Sequence, residues 1–236
     1  MIKEFFFNDR DSLFNALANA CRDTLRNAIE EKQSASLLVS GGSTPRPLYQ
    51  QLSQSELDWQ NVTVALVDER WVEAGQEGSN ETFIVQNLIC NQAAAAKFIP
   101  MKTPEKTAML GQGYCERRYR QLPRPFDVTI LGMGSDGHTA SLFPYSKGLK
   151  EALDEHGETI CAAIDAERSE VTGALTERMS LSLFGLMQSR QLHLLITGDE
   201  KLAVYQQALA NPDVMLTPVS AVLQQTTVPV HVYWAP

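Results

Sequence analysis

What this chain has little of narrows its chemistry first. Only four histidines and four cysteines occur in 236 residues, and aromatic side chains make up 8%. The cysteines, Cys21, Cys90, Cys115 and Cys161, lie 69, 25 and 46 residues apart, so no C-x-x-C pair exists to hold zinc or run thiol exchange. No apolar run approaches the ~18 residues of a membrane span. The amino-terminal MIKEFFFNDRDS reaches acidic residues at once, unlike a signal peptide. Bases are outnumbered, 20 against 28 acids, for a net charge of −8, which argues against nucleic acid as a partner. No glycine loop ends in G-K-[ST], so no nucleoside-triphosphate loop is present, and no G-x-S-x-G elbow supplies a nucleophilic serine. These absences point to a cytoplasmic chain with free thiols and with neither a metal site nor a membrane partner. A small anionic ligand stays open, because a few local cations reverse the field inside a cleft.

What is present reads as a globular domain. Hydrophobic residues make up 44% and charged residues 20%, enough for a core without staples. With no repeat, low-complexity tract or linker, residues 1–236 are expected to form a single domain. Leu13, Leu17, Cys21, Leu25 and Ile29 recur at stride four and predict a helix over 11–32. Apolar runs at Leu37–Val39, VTVALV, Val128–Leu131, QLHLLITG and VPVHVYW predict strands, with ETICAAID and RMSLSLF as further candidates. Helical segments alternate with them at NETFIVQNLIC, at about 106–121, and at DEKLAVYQQALA and PVSAVLQQ. Continuous apolar strands alternating with helices predict a mainly parallel α/β sheet covered by helices on both faces. Ligands of such sheets collect beyond the carboxyl ends of the strands. Four of those ends carry unusual residues: Gly41–Thr44, Asp68–Arg70, Gly132–His138 and Gly198–Lys201.

Each end suggests a part of a site. In SGGSTP, two glycines free the backbone to expose N–H groups, Ser43 or Thr44 can cap the next helix, and Pro45 suits its first turn. A glycine turn leading into a helix amino terminus favours an anion such as phosphate. Asp68-Glu69-Arg70 follows an apolar strand directly, so these charges are expected to meet solvent or polar partners rather than be buried alone. GMGSDG matches the dinucleotide fingerprint G-x-G-x-x-G, but Pro144 follows Gly137 by seven residues and stops the helix that such a site requires. The remaining reading is a glycine-bracketed turn that exposes Asp136 and His138, and imidazole is the natural general base near neutral pH. His193 and His231 sit inside apolar strands and read as structural, while His156 lies in a polar loop. Lys201 opens a helix, where the dipole disfavours a cation, so an anionic ligand would give it a reason. Arg178, at the start of MSLS, is a second candidate cation.

Taken in order, SGGSTP, VDERWV, GSNE, LGMGSDGHTASLFP, RMSLS and ITGDEK resemble the 6-phosphogluconolactonase family, within the broader glucosamine-6-phosphate deaminase/isomerase-like group. The resemblance spans roughly residues 35–234 and is most specific in GSDGHTASLFP. It implies a Rossmann-like α/β fold, no cofactor, and hydrolysis of a sugar-phosphate lactone, 6-phospho-D-glucono-1,5-lactone. It also implies His138 as the base that activates water, with Asp136 shaping the turn. Gly41, Gly42, Ser43 and Thr44 would then hold the phosphate, Arg178 and Lys201 would be its countercharges, and Asp68 and Arg70 would address sugar hydroxyls or the developing oxyanion. A monomer or weak homodimer is expected. The deaminase/isomerase branch, which typically carries Asn-Glu-Pro shortly after the histidine, is the nearest alternative, and a non-catalytic sugar-phosphate sensor is a more distant one. Here the matching stretch is Ser141-Leu142-Phe143-Pro144, with no carboxylate.

Overall fold

The computed structural model describes residues 1–154 and 156–236. Its strands are β1 (Ile2–Phe6), β2 (Ala35–Val39), β3 (Val62–Leu66), β4 (Asp68–Arg70), β5 (Lys97–Ile99), β6 (Val128–Leu131), β7 (Cys161–Asp165), β8 (Glu177–Leu181), β9 (Leu192–Thr197) and β10 (Val230–Ala235). Its helices are α1 (Arg10–Lys32), α2 (Arg46–Ser53), α3 (Asn80–Asn87), α4 (Ala108–Arg120), α5 (Leu149–Ala152), α6 (Leu183–Met187), α7 (Asp199–Ala210) and α8 (Val219–Gln224). Seven strands form one sheet in the order β1-β10-β9-β6-β2-β3-β5, and every neighbouring pair in it is parallel. Strands β2 and β6 are buried at every residue, which is why they read as unbroken apolar runs. This is the mainly parallel, helix-covered α/β fold that the alternating pattern predicts. No helix among the described residues is long and apolar enough to cross a membrane.

Helix α1 shows how sequence makes the frame. Asp9 caps it, its carboxylate accepting from the Ser12 amide at 2.7 Å, and Gln33 closes it in the left-handed conformation. The stripe Leu13, Leu17, Cys21 and Leu25 is fully buried, consistent with the stride-four reading. The four cysteines are free thiols, and Cys115 and Cys161 meet inside the core with sulfurs 3.4 Å apart.

Three local features go beyond the sequence reading. The amino-terminal FFF run belongs to an edge strand, β1, paired in parallel with the carboxyl-terminal β10. The segments ETICAAID and RMSLSLF are strands, but they lie outside the parallel sheet, in a second sheet of order β4-β8-β7 whose pairs are antiparallel. The third strand of that sheet is Asp68-Glu69-Arg70 itself. One residue stitches the two sheets together. The Val67 amide donates to the Val39 carbonyl at 2.9 Å, while the Val67 carbonyl accepts from Leu181 at 2.8 Å. Just before it, the Tyr119 hydroxyl donates to the Leu66 carbonyl at 2.8 Å and accepts from the Leu66 amide at 3.0 Å. A side chain thus satisfies the backbone groups that a strand would otherwise pair, and the chain is free to change sheets.

His193 and His231 are neighbours across β9 and β10, their rings 5.9 Å apart. His193 is 1% exposed, and neither ring nitrogen has a hydrogen-bond partner among the described residues. Burial, and secondarily His231, hold its pKa down at about 3. The unfolded imidazole takes a proton near its ordinary value, about 6.5, while the folded one resists until about pH 3. Folded stability from this group is therefore complete above that ordinary value and is lost as pH falls below it. Urea midpoints between pH 6.5 and 4 should decline with a contribution from His193 of up to about 1.4 kcal/mol per pH unit. In His193→Phe that decline should flatten, and an unchanged slope would place the acid sensitivity elsewhere.

Candidate active site

The carboxyl ends of β2, β3, β6 and β9 open onto a cavity of about 410 Å³. Its walls carry Gly41, Gly42, Ser43 and Thr44 from the first glycine turn, Asp68 and Arg70 from β4, His138 from the second glycine turn, Arg178 from β8 and Lys201 from α7. The structure thus brings together every candidate residue named from the sequence except Asp136, which stands behind His138. The four strand ends converge as the topology of a parallel sheet requires.

His138 is set by its own loop. After β6 the chain makes a turn closed by Gly134 N–H to the His138 carbonyl at 2.9 Å and Gly137 N–H to the Gly134 carbonyl at 3.1 Å. No helix follows, in keeping with the rejected dinucleotide reading. His138 Nδ1 lies 2.6 Å from Asp136 Oδ1, which also accepts the His138 amide at 3.1 Å. With a carboxylate on Nδ1, the proton sits there and the lone pair of Nε2 is available. Burial raises the Asp136 carboxyl, but the hydrogen bond and charge of His138 outweigh it and hold the group below its ordinary value. Phe143 supports the pair, its ring 4.3 Å from the imidazole centroid on one side, and the Arg178 guanidinium lies 5.3 Å from the Phe143 ring centroid.

The opposite wall is built by β4 and β8. Side chains alternate along a strand, so Asp68 and Arg70 face the cavity while Glu69 points away. The antiparallel register places Arg70 directly opposite Arg178. Two guanidiniums in that relation repel, and such pairs weaken a sheet unless an anion lies between them. Arg178 is 4% exposed, and burial, then Arg70, pull its pKa down to about 10. Its Nε donates to the Leu175 carbonyl at 2.7 Å and Nη2 to the Thr172 carbonyl at 2.9 Å, so part of its fork is spent on the chain that approaches β8. Lys201 has its pKa lowered by burial, against the pull of Glu200 and Asp136. Three cations beside a glycine turn make a positive wall in a chain that is negative overall.

One sequence reading changes here and another is sharpened. Neither Ser43 nor Thr44 caps α2, which starts after Pro45 with no side-chain cap, so their hydroxyls are not committed to the helix. For Glu69 the expected polar partners are backbone amides rather than solvent: it is fully buried and accepts from the amides of Arg70, Asn80 and Glu81 at 2.8, 2.7 and 2.8 Å. The sequence reading also passed over Asn80, a cavity-lining residue 3% exposed, and Ser141, whose hydroxyl donates to Asp68 Oδ2 at 2.6 Å. The signal for Asn80 was available in GSNE, where a polar residue opens a helix beside the charged strand.

Fold and cavity place the molecule among α/β enzymes that keep their polar machinery at the carboxyl edge of a parallel sheet. A family model described as glucosamine-6-phosphate isomerases/6-phosphogluconolactonase matches residues 8–234. The chain belongs to that family. It is 39% identical over 230 residues to the 6-phosphogluconolactonase of Rhizobium meliloti (strain 1021), covering 98% of this chain and 97% of that protein. A second relative, the 6-phosphogluconolactonase of Mesorhizobium japonicum, is 37% identical over 98% of this chain and 94% of its own. The crystal structure of a 6-phosphogluconolactonase from Shewanella baltica OS155 superposes with a TM-score of 0.93 at 40% identity, covering 100% of this chain and 98% of that one.

Gly134 tests the geometry of the His138 turn. A Cβ there would lie 2.2 Å from His138 Nδ1 and 2.6 Å from Asp136 Oδ1, so only glycine leaves room for the pair. Gly134→Ala is expected to shift the His138 imidazole resonances in an NMR titration while the far-ultraviolet circular dichroism stays that of the parent. Unmoved resonances would mean that the pair tolerates a side chain at this position.

Proposed function

We propose that His138 is the general base in the hydrolysis of 6-phospho-D-glucono-1,5-lactone to 6-phospho-D-gluconate, the second step of the oxidative pentose phosphate pathway. The observation that carries this role is the 2.6 Å pairing of His138 Nδ1 with Asp136 at the edge of a cavity whose far wall holds Arg70 and Arg178. Nε2 takes a proton from water as the water oxygen bonds to the lactone carbonyl carbon. Negative charge builds on the carbonyl oxygen, where a nearby cation stabilises it. As that charge returns, the bond to the ring oxygen breaks, and the imidazolium returns its proton to the departing oxygen. Asp136 holds the ring in the tautomer that makes this cycle possible. Free hydroxyls at Ser43 and Thr44, the backbone of Gly41 and Gly42, and the charges of Arg178 and Lys201 support a phosphate subsite. Asp68 and Arg70 then face the sugar hydroxyls and the oxyanion. The whole chain, residues 1–236, acts on this reading as one cytoplasmic hydrolase domain, a monomer or weak homodimer, without a nucleic-acid partner.

The deaminase/isomerase alternative is not favoured. Proton transfer on an amino sugar wants a second acid–base group after the histidine, and Ser141 stands there with its hydroxyl given to Asp68. His138→Ala should lower kcat by about a thousandfold, within the range a positioned base contributes, and leave KM little changed. The assay is acid release from freshly made lactone, read above its spontaneous opening. Turnover near that of the parent enzyme in this variant would remove His138 from the mechanism.

A further inference from the structure

Asn80 is the first residue of α3, and its side chain lies at the junction of three pieces of the cavity wall. Its Nδ2 donates to the Asp68 carbonyl at 2.8 Å and to Asp68 Oδ1 at 3.3 Å. Its Oδ1 accepts from Arg70 Nη1 at 3.0 Å, and the same Nη1 donates to the Gly78 carbonyl at 2.7 Å. The chemistry of the neighbours fixes the orientation of the amide, because a carbonyl and a carboxylate can only accept there and a guanidinium can only donate. The amide also presses on the first glycine turn: a Cβ at Gly41 would lie 1.9 Å from Asn80 Oδ1. The charged groups packed around it are Asp68, Glu69 and Arg70 of β4, Glu81 next to it on α3, and Arg178 across from Arg70 on β8.

We infer that Asn80 is a positioning residue for the lactone hydrolysis proposed above, holding the Asp68 carboxylate and the Arg70 guanidinium in fixed relation through one amide that donates to the first and accepts from the second. Only asparagine has this polarity at this length. Aspartate has the same shape and can still receive Arg70, but it sets a carboxylate oxygen where the Asp68 carboxylate needs a donor. Alanine serves neither. Asn80 carries no proton for the reaction and acts only through its two neighbours.

The inference rests on the proposed hydrolysis, so the parent enzyme is assayed first, and failure to accelerate lactone opening there overturns that reading rather than this one. Given an active parent, Asn80→Asp is expected to lose about a hundredfold in kcat/KM at pH 7.5, as misplacement of working groups by about 1 Å does. The ratio of variant to parent kcat/KM should then climb as the pH is lowered toward 5.5, because a protonated aspartic acid regains an O–H to donate to Asp68. A merely structural asparagine would give a ratio that does not change with pH, and that result, or parent-like activity at pH 7.5, overturns the inference. Should Asn80→Asp not fold, Asn80→Ala is measured alone and on an Arg70→Ala background. The second alanine should cost much less once Arg70 is gone, since neighbours acting as a unit are not additive. Additive losses would show that Asn80 does not work through Arg70.

Discussion

The fully buried carboxylate of Glu69 is the constraint on which the site depends. Three successive charges on a strand cannot all face one way, so the pleat that turns Asp68 and Arg70 toward the cavity drives Glu69 into the interior. An unpaired carboxylate there would be prohibitively costly. The amides at the start of α3 solve this, because the first N–H groups of a helix have no partners within the helix and the dipole there favours a negative charge. Burial still pushes the Glu69 carboxyl up to about 7 against these donors. Once Glu69 is seated on the amino end of α3, the place of Asn80 follows, and with it the relation of Asp68 to Arg70.

The opposition of Arg70 and Arg178 fits the same frame. The second sheet is short, and a repulsive pair at the end of its β4–β8 ladder weakens it. Its compensation comes from around it: Phe143 beneath the Arg178 guanidinium, and backbone carbonyls that occupy two of its donors. An anion placed between the two guanidiniums would complete the balance. Positive charge is concentrated here while the molecule as a whole carries −8. Local placement therefore matters more than composition for what this cavity attracts.

The parallel sheet was legible because strands buried on both faces must be apolar throughout, as β2 and β6 are. The strand ends were legible for the complementary reason: glycines and charges directly after such runs have few structural excuses. His138 and Asp136 announced themselves by lying within one turn. The second sheet was hidden, because the pairing of β4 with β8 joins residues more than a hundred positions apart, and a three-residue strand of charges carries no strand signal. The uncapped start of α2 shows the limit of local rules, since SGGSTP has the composition of a capped helix yet leaves its hydroxyls facing the cavity. Asn80 was hidden differently. Its role is a relation among three chain segments, and its own neighbours in sequence show only a helix beginning.

The stitch at Val67 has a kinetic meaning. The base side of the cavity hangs on the parallel sheet and the Arg70–Arg178 wall on the antiparallel one, yet a single residue, Val67, is bonded into both. Enzymes that place a site between two loosely joined lobes can open and shut, and the time spent reopening often limits how fast they release product. Here the two walls share a seam at Val67, so the groups they carry are tied to one another through backbone hydrogen bonds rather than across a linker. For a substrate that opens unaided, an enzyme is useful only if it outpaces water, and walls joined by backbone suit that task.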